Sequence, residues 1–155
     1  MPEKQLIIGI IGGGSCGPEA AAMAQRAGEL IARRGAALVC GGLGGVMEAA
    51  SRGASMTGGV VIGVLPGDDA RACNPHVTYP VATGMGHARN VIIVRTAHVL
   101  IAFEGESGTL SEIAIALKLG KPVIGVDAWR TVKGVIVRST PEEAVEEAFG
   151  RIGRP

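Results

Sequence analysis

The sequence predicts an α/β protein built on a doubly wound, mainly parallel sheet flanked by helices. Three observations lead there. Short apolar runs closed by glycine or proline read as strands buried on both faces. Stretches with apolar residues at helical spacing alternate with them, and such alternation builds parallel sheets. Three of the strand-to-helix turns are dense in glycine, which supplies 25 of the 155 residues, about twice its ordinary share.

The elements follow in order. Residues 6–11 are a first strand, running into three further glycines. Pro18 fits the first turn of a helix, and Met23, Ala24, Ala27, Leu30 and Ile31 keep helical spacing until Gly35 stops it. Residues 37–40 form a second strand ended by Gly41 and Gly42, and 46 to about 53 a short helix. Residues 60–65 are a third strand, stopped by Pro66 and Gly67. Residues 67–85 lack periodicity and read as a long loop, of the kind that often carries function, with a small strand near 77–81. There follow a helix over 87–97, a strand over 99–103, a helix over about 109–119, a strand over 122–126, a last strand at 135–137 and a closing helix over 141–151. Right-handed crossovers place the first strand centrally, with 99–103 as its neighbour across the switch point. No linker, repeat or low-complexity tract intervenes, so residues 1–155 are expected to form a single domain.

Composition narrows the function. Fifteen Lys and Arg stand against fourteen Asp and Glu, a net charge of +1. That argues against a nucleic-acid or polybasic membrane binder. One Trp, one Tyr and two Phe make no stacking platform for bases. Cys16, Cys40 and Cys73 are odd in number and form no C-x-x-C, so free thiols in a reducing compartment are expected, with no metal site. No apolar run suits a membrane span or a signal peptide. The expectation is a cytoplasmic protein.

The glycine turns carry the chemistry. Gly12-Gly13-Gly14-Ser15-Cys16-Gly17 fits G-x-G-x-x-G between a strand and a helix. Glycine permits the tight turn and the close approach of backbone to a phosphate, and the helix start offers unpaired N–H groups. The second turn is Gly41-Gly42-Leu43-Gly44-Gly45-Val46-Met47, and the third is Glu104-Gly105-Glu106-Ser107-Gly108-Thr109. A parallel sheet places all three at its carboxyl edge, where ligands bind. Any one turn is equally well explained by chain geometry alone. Three on one edge favour an anionic ligand, best a phosphate or pyrophosphate. The acidic residue of a classical NAD site is missing after the second strand, where Cys40, Gly41 and Gly42 stand.

Several residues have a structural reading beside the functional one. Thr109 and Glu112 fit a T-x-x-E capping box. Arg89 lies near a helix start, where a cation gains nothing from the dipole, so a ligand or carboxylate partner is expected. Asp68 and Asp69 read as a solvated turn and Trp129 as packing. His76, His87 and His98 lack metal-ligand spacing, though His87 is placed to line a pocket. The helix bearing Leu110, Ile113, Ala114, Ile115, Ala116, Leu117 and Leu119 is apolar nearly all round, as is 91–94. A second apolar face implies either a subunit interface or burial under neighbouring elements.

Four runs carry a family resemblance: Gly41 through Glu48, Thr83-Gly84-Met85-Gly86-His87-Ala88-Arg89-Asn90, Ser107 through Glu112, and Lys121-Pro122-Val123-Ile124-Gly125. Together they resemble the LOG-like (SLOG) superfamily, formerly called lysine decarboxylase-like, over roughly residues 5–126. The nearest likeness is to its small branch containing the molybdenum cofactor carrier protein. The resemblance implies a Rossmann-like fold and a homodimer or homotetramer. It implies a phosphorylated nucleotide or pterin-type ligand, either molybdopterin cofactor or an AMP-like nucleotide, bound without turnover. An alternative it implies is a phosphoribohydrolase that cleaves the N-glycosidic bond of nucleoside 5′-monophosphates, with Glu112 and Arg89 catalytic. The hydrolase pattern is P-G-G-x-G-T-x-x-E with an upstream M-x-x-R-K. Here Glu104-Gly105-Glu106 replaces the Pro-Gly-Gly and Asn90 the Lys, so the site loses positive or neutral character. A third reading is a regulatory protein that senses nucleotide through the same pocket.

Overall fold

The computed structural model describes residues 4–152. Its elements are β1 (Ile7–Ile11), α1 (Pro18–Arg33), β2 (Ala37–Cys40), α2 (Val46–Met56), β3 (Val61–Leu65), β4 (Tyr79–Ala82), α3 (Arg89–Thr96), β5 (Val99–Ala102), α4 (Ser107–Lys118), β6 (Val123–Val126), β7 (Ile136–Arg138) and α5 (Pro141–Arg151). Short 3-10 turns stand at Ala70–Ala72 and Gly86–Ala88. The strands form one sheet in the order β4-β3-β2-β1-β5-β6-β7. Every adjacent pair is parallel. The α/β, Rossmann-like expectation holds, and the sheet is parallel throughout.

β1 is central as expected, with Ile8 level with Leu38 of β2 and with Val99 of β5. Alternation sorts its side chains onto two layers. Ile8, Ile10, Leu38, Cys40 and Ile101 pack against α1, α2 and α5. Ile11, Val39, Val64, Leu100 and Ala102 pack against α3 and α4. The chain builds outward from β1 to β4, then returns through α3 to β5. That reversal opens a crevice beside β1 at the carboxyl edge.

The α1–α2 contact depends on two glycines. A Cβ at Gly28 would overlap the Ala50 carbonyl, and one at Gly53 the Gln25 carbonyl. The helices therefore touch backbone to backbone. This explains why α2 does not stop near Gly53, as the sequence suggested, but continues to Met56. Gly53 sits inside the helix for close packing. At the opposite layer, Lys121 holds the end of α3. Its Nζ donates to the carbonyls of Val94 at 2.7 Å, Arg95 at 2.7 Å and Ala97 at 2.5 Å, a favourable place for a cation.

Smaller expectations resolve simply. The edge strand β4 falls at 79–82, two residues later than its predicted start, and carries Pro80, which an edge strand tolerates. Asp69 caps the turn at Ala70–Ala72 and pairs with Arg71 on the surface. Trp129 Nε1 donates to the Phe103 carbonyl at 2.8 Å. His98 Nδ1 accepts from the Ile7 amide at 3.1 Å. Ile92, Ile115 and Leu117 are partly buried on the second core layer, whereas Leu110 and Leu119 remain exposed. Among the described residues no helix is long and apolar enough to cross a membrane.

Gly53→Ala tests the helix contact. Alanine in a helix interior ordinarily stabilises by about 1 kcal/mol over glycine. Here the methyl must displace α1, and overpacking costs about 1–3 kcal/mol. Urea denaturation is expected to show a net loss of stability; an unchanged or higher midpoint would contradict the contact.

Candidate functional site

A cavity of about 410 Å³ opens over the ends of β1, lined by Ile10 and Ile11 at its floor, a volume within the range of small-molecule sites. The first turn contributes Gly12, Gly13, Gly14 and Ser15, and the second Gly41 and Met47. The third turn and α4 contribute Gly105, Glu106, Gly108, Thr109 and Glu112. His87, Arg89 and Asn90 complete the wall from the start of α3.

The three turns are tied to one another by backbone. The Gly13 amide donates to the Glu104 carbonyl at 2.9 Å, and the Gly13 carbonyl accepts from the Val46 amide at 3.0 Å. A Cβ at Gly12 would stand 2.6 Å from Val46 Cγ1. One at Gly45, whose φ is +63°, would overlap the Gly13 carbonyl, and one at Gly105 would overlap Thr109 Oγ1.

This packing separates the candidate residues into two groups. Gly12, Gly13, Gly14, Ser15, Gly41, Met47, Arg89, Gly105, Gly108 and Thr109 share the cavity. Cys16, Gly42, Gly44, Gly45, Val46 and Ser107 lie outside its lining. Gly42 backs onto Leu65 and Gly63, and Gly44 and Gly45 abut the first turn. Val46 is fully buried and its amide is already bonded. Cys16 packs against the α1 layer. Burial, reinforced by Glu104, raises its thiol pKa, so this helix start does not activate it.

Arg89 is only 8% exposed. Its Nε donates to the Val64 carbonyl at 3.0 Å, and Nη1 donates to Asn90 Oδ1. Asn90 Nδ2 in turn donates to Ser111 Oγ at 3.1 Å, and Ser111 Oγ to the Gly108 carbonyl at 2.7 Å. The guanidinium is thus fixed from β3, α3 and the first turn of α4. Its Nη2 edge is turned towards Gly41, where a Cβ would stand 2.6 Å away. Desolvation lowers the pKa of Arg89, opposed by the nearby Glu112 and Cys40. An arginine so placed stays charged.

Glu112 is 7% exposed. Burial pushes its carboxyl up to about 7, against the pull of Arg89. The capping-box reading is corrected. Helix α4 starts at Ser107 with Glu106 at the N-cap and no side-chain cap bond. Thr109 is therefore inside the first turn, packed under Gly105, and Glu112 is one turn too deep to reach the N-cap. With no side chain on them, the first-turn amides of α4 have no partner within the helix, and Gly108 and Thr109 bring that end to the cavity. Asn90, which the sequence marked only as a departure from a pattern, orients the arginine. Glu106 and His87 are exposed at the rim, while Glu104 faces away. Among the described residues no group of three or more His, Cys, Asp or Glu is placed to hold a metal ion.

A Rossmann-like sheet with a cavity at its switch point defines a class of small-ligand-binding α/β proteins. Within it, residues 5–149 match the SLOG cluster4 family, and the chain belongs to that family. An uncharacterized protein of Archaeoglobus fulgidus is 50% identical over 142 residues, spanning 92% of this chain and 93% of the relative. The molybdenum cofactor binding protein of the phototrophic bacterium Rippkaea orientalis is structurally similar, with a TM-score of 0.89, 37% identity, and coverage of 95% of this chain and 97% of that one. The molybdenum cofactor carrier protein of Chlamydomonas reinhardtii has a TM-score of 0.87 and 32% identity, with 95% and 98% coverage.

The raised carboxyl of Glu112 makes stability pH-dependent. The folded state holds this proton up to about pH 7, whereas an unfolded glutamate releases it near 4.3. Stability from this group is therefore present below about pH 4 and is lost as pH rises to about 7, on the order of 3 kcal/mol in all. Glu112→Gln removes the loss, so its stability relative to the parent should improve between pH 5 and pH 8. A pH-independent difference in urea midpoints would refute the assignment.

Proposed function

We propose that this protein binds a phosphorylated nucleotide or pterin-type ligand at the carboxyl edge of its sheet and holds it without turnover, as a carrier does. The observation that carries this reading is a buried guanidinium, pre-aimed by Val64 and Asn90, sharing one cavity with the backbone of three glycine turns. Backbone N–H groups at Gly14 and Ser15 and at the start of α4 suit phosphate oxygens. Arg89 adds a charge-assisted donor. Glu106 offers acceptors to an amino-bearing ring. The similarity to a molybdenum cofactor binding protein and a molybdenum cofactor carrier protein supports a pterin-type cargo.

A second reading has one specific observation behind it. Glu112 lies in the same cavity, titrating near neutrality, which suits general acid–base work on an N-glycosidic bond. The carboxylate of Glu106 at the cavity and the replacement of lysine by Asn90 weigh towards binding alone. We also propose a homo-oligomer, dimer or tetramer, joined through the exposed Leu110 of α4 and Leu119 at its C-cap. Sedimentation of Leu110→Glu should then show a smaller species than the parent.

Native mass spectrometry of freshly purified protein, followed by titration with AMP and a phosphorylated pterin, tests the main reading. Binding without release of free base is expected. Arg89→Ala should weaken it by about 10- to 100-fold, the worth of one charged hydrogen bond. Base release that disappears in Glu112→Gln would establish the hydrolase instead, and no binding would defeat both.

A further inference from the structure

We propose that the cavity couples ligand binding to proton uptake: an anion that settles against Arg89 is accompanied by one proton, taken from solvent onto the carboxylate of Glu112. This rests on the anion-binding reading above and adds a regulatory property to the same site. Glu112 is more than nine-tenths buried, lines the cavity, and accepts no hydrogen bond from the described side chains. Among the described residues, the cation that acts on it is Arg89 from α3. That same guanidinium is the group an incoming phosphate would engage.

Consider what the ligand changes. Before binding, the charge of Arg89 favours ionised Glu112. A phosphate drawn to Arg89 diverts that field and brings its own negative charge into a site of low polarity. Both effects favour the neutral carboxylic acid. The other surrounding groups do not restore the balance. From β2, Cys40 presents a buried thiol held neutral by desolvation. From the start of α4, Glu106 adds a further carboxylate. From the turn Gly86–Ala88, His87 stands exposed at the rim, and from β1 come only Ile10 and Ile11. The near-neutral titration of Glu112 places the exchange where it can operate at ordinary pH.

The protonated carboxyl also gains a role, because neutral Glu112 can donate a hydrogen bond to a ligand oxygen as well as accept one. Affinity is therefore highest below about pH 7 and declines above it, by up to about tenfold for each pH unit while one proton is exchanged.

Isothermal titration calorimetry of the intact protein tests this with AMP, GMP and inorganic pyrophosphate as probes. At pH 8, two buffers of different ionisation enthalpy give the proton count per ligand bound. The parent is expected to take up most of one proton more than Glu112→Gln. Parent affinity should fall at least threefold from pH 7 to pH 8, while the variant stays level and becomes the tighter binder at pH 8. Binding with equal proton counts in the two proteins overturns the coupling and leaves the anion site standing. Should the variant fail to fold, the parent alone decides: no proton uptake on binding at pH 8 overturns the proposal. No binding of any probe at either pH overturns the anion-site reading and the coupling together.

Discussion

One peptide group on each side of Gly13 holds the site together. Its amide reaches the Glu104 carbonyl after β5, and its carbonyl receives the Val46 amide at the start of α2. Three crossovers that are far apart in sequence are thereby joined through a single residue. Neighbouring positions must lack side chains for this to happen, since a Cβ at Gly45 would overlap the Gly13 carbonyl and a Cβ at Gly12 would press on Val46. The glycine content is therefore explained in part by turn meeting turn. The cavity is the space those contacts leave open.

Into that space the fold places two charges that are costly to bury. Arg89 persists because β3, Asn90 and, through Ser111, the first turn of α4 hold its donors in place. Glu112 is less well provided for, with Arg89 as its compensating neighbour. Such an arrangement gives up stability at neutral pH. It gains a rigid donor and an adjacent group whose charge is easily changed. Functional sites commonly retain perturbed groups of this kind.

Much of the fold was legible in the sequence because its signals are local. Apolar runs located β1, β2, β3 and β5, the first two ended by glycine and the third by Pro66 and Gly67, and the crossover rule put β1 beside β5. Arg89 stood out through its position at a helix start, and Glu112 through a resemblance. What escaped depends on contacts distant along the chain. Nothing near Gly44, Gly45 or Val46 says that their partners are Gly13 and Gly14. The T-x-x-E pattern at Thr109 pointed to a cap, but Gly105 lets α4 start earlier and turns both residues to other uses. Gly53 looked like a terminator because its reason for being in a helix lies on α1. β4 was blurred because all four of its residues are exposed, so no inward–outward alternation marks it.

The pairing of β1 with β5 has a consequence for how the protein matures. Ile8 meets Val99 only after the intervening chain has folded back across the sheet, and pairings of such high sequence separation form slowly. A nascent chain that has not yet delivered β5 holds β1, β2 and their helices but has no Glu104 carbonyl to steady Gly13. The cavity and the central sheet are therefore completed together, because the turn that lines one is steadied by the strand that closes the other.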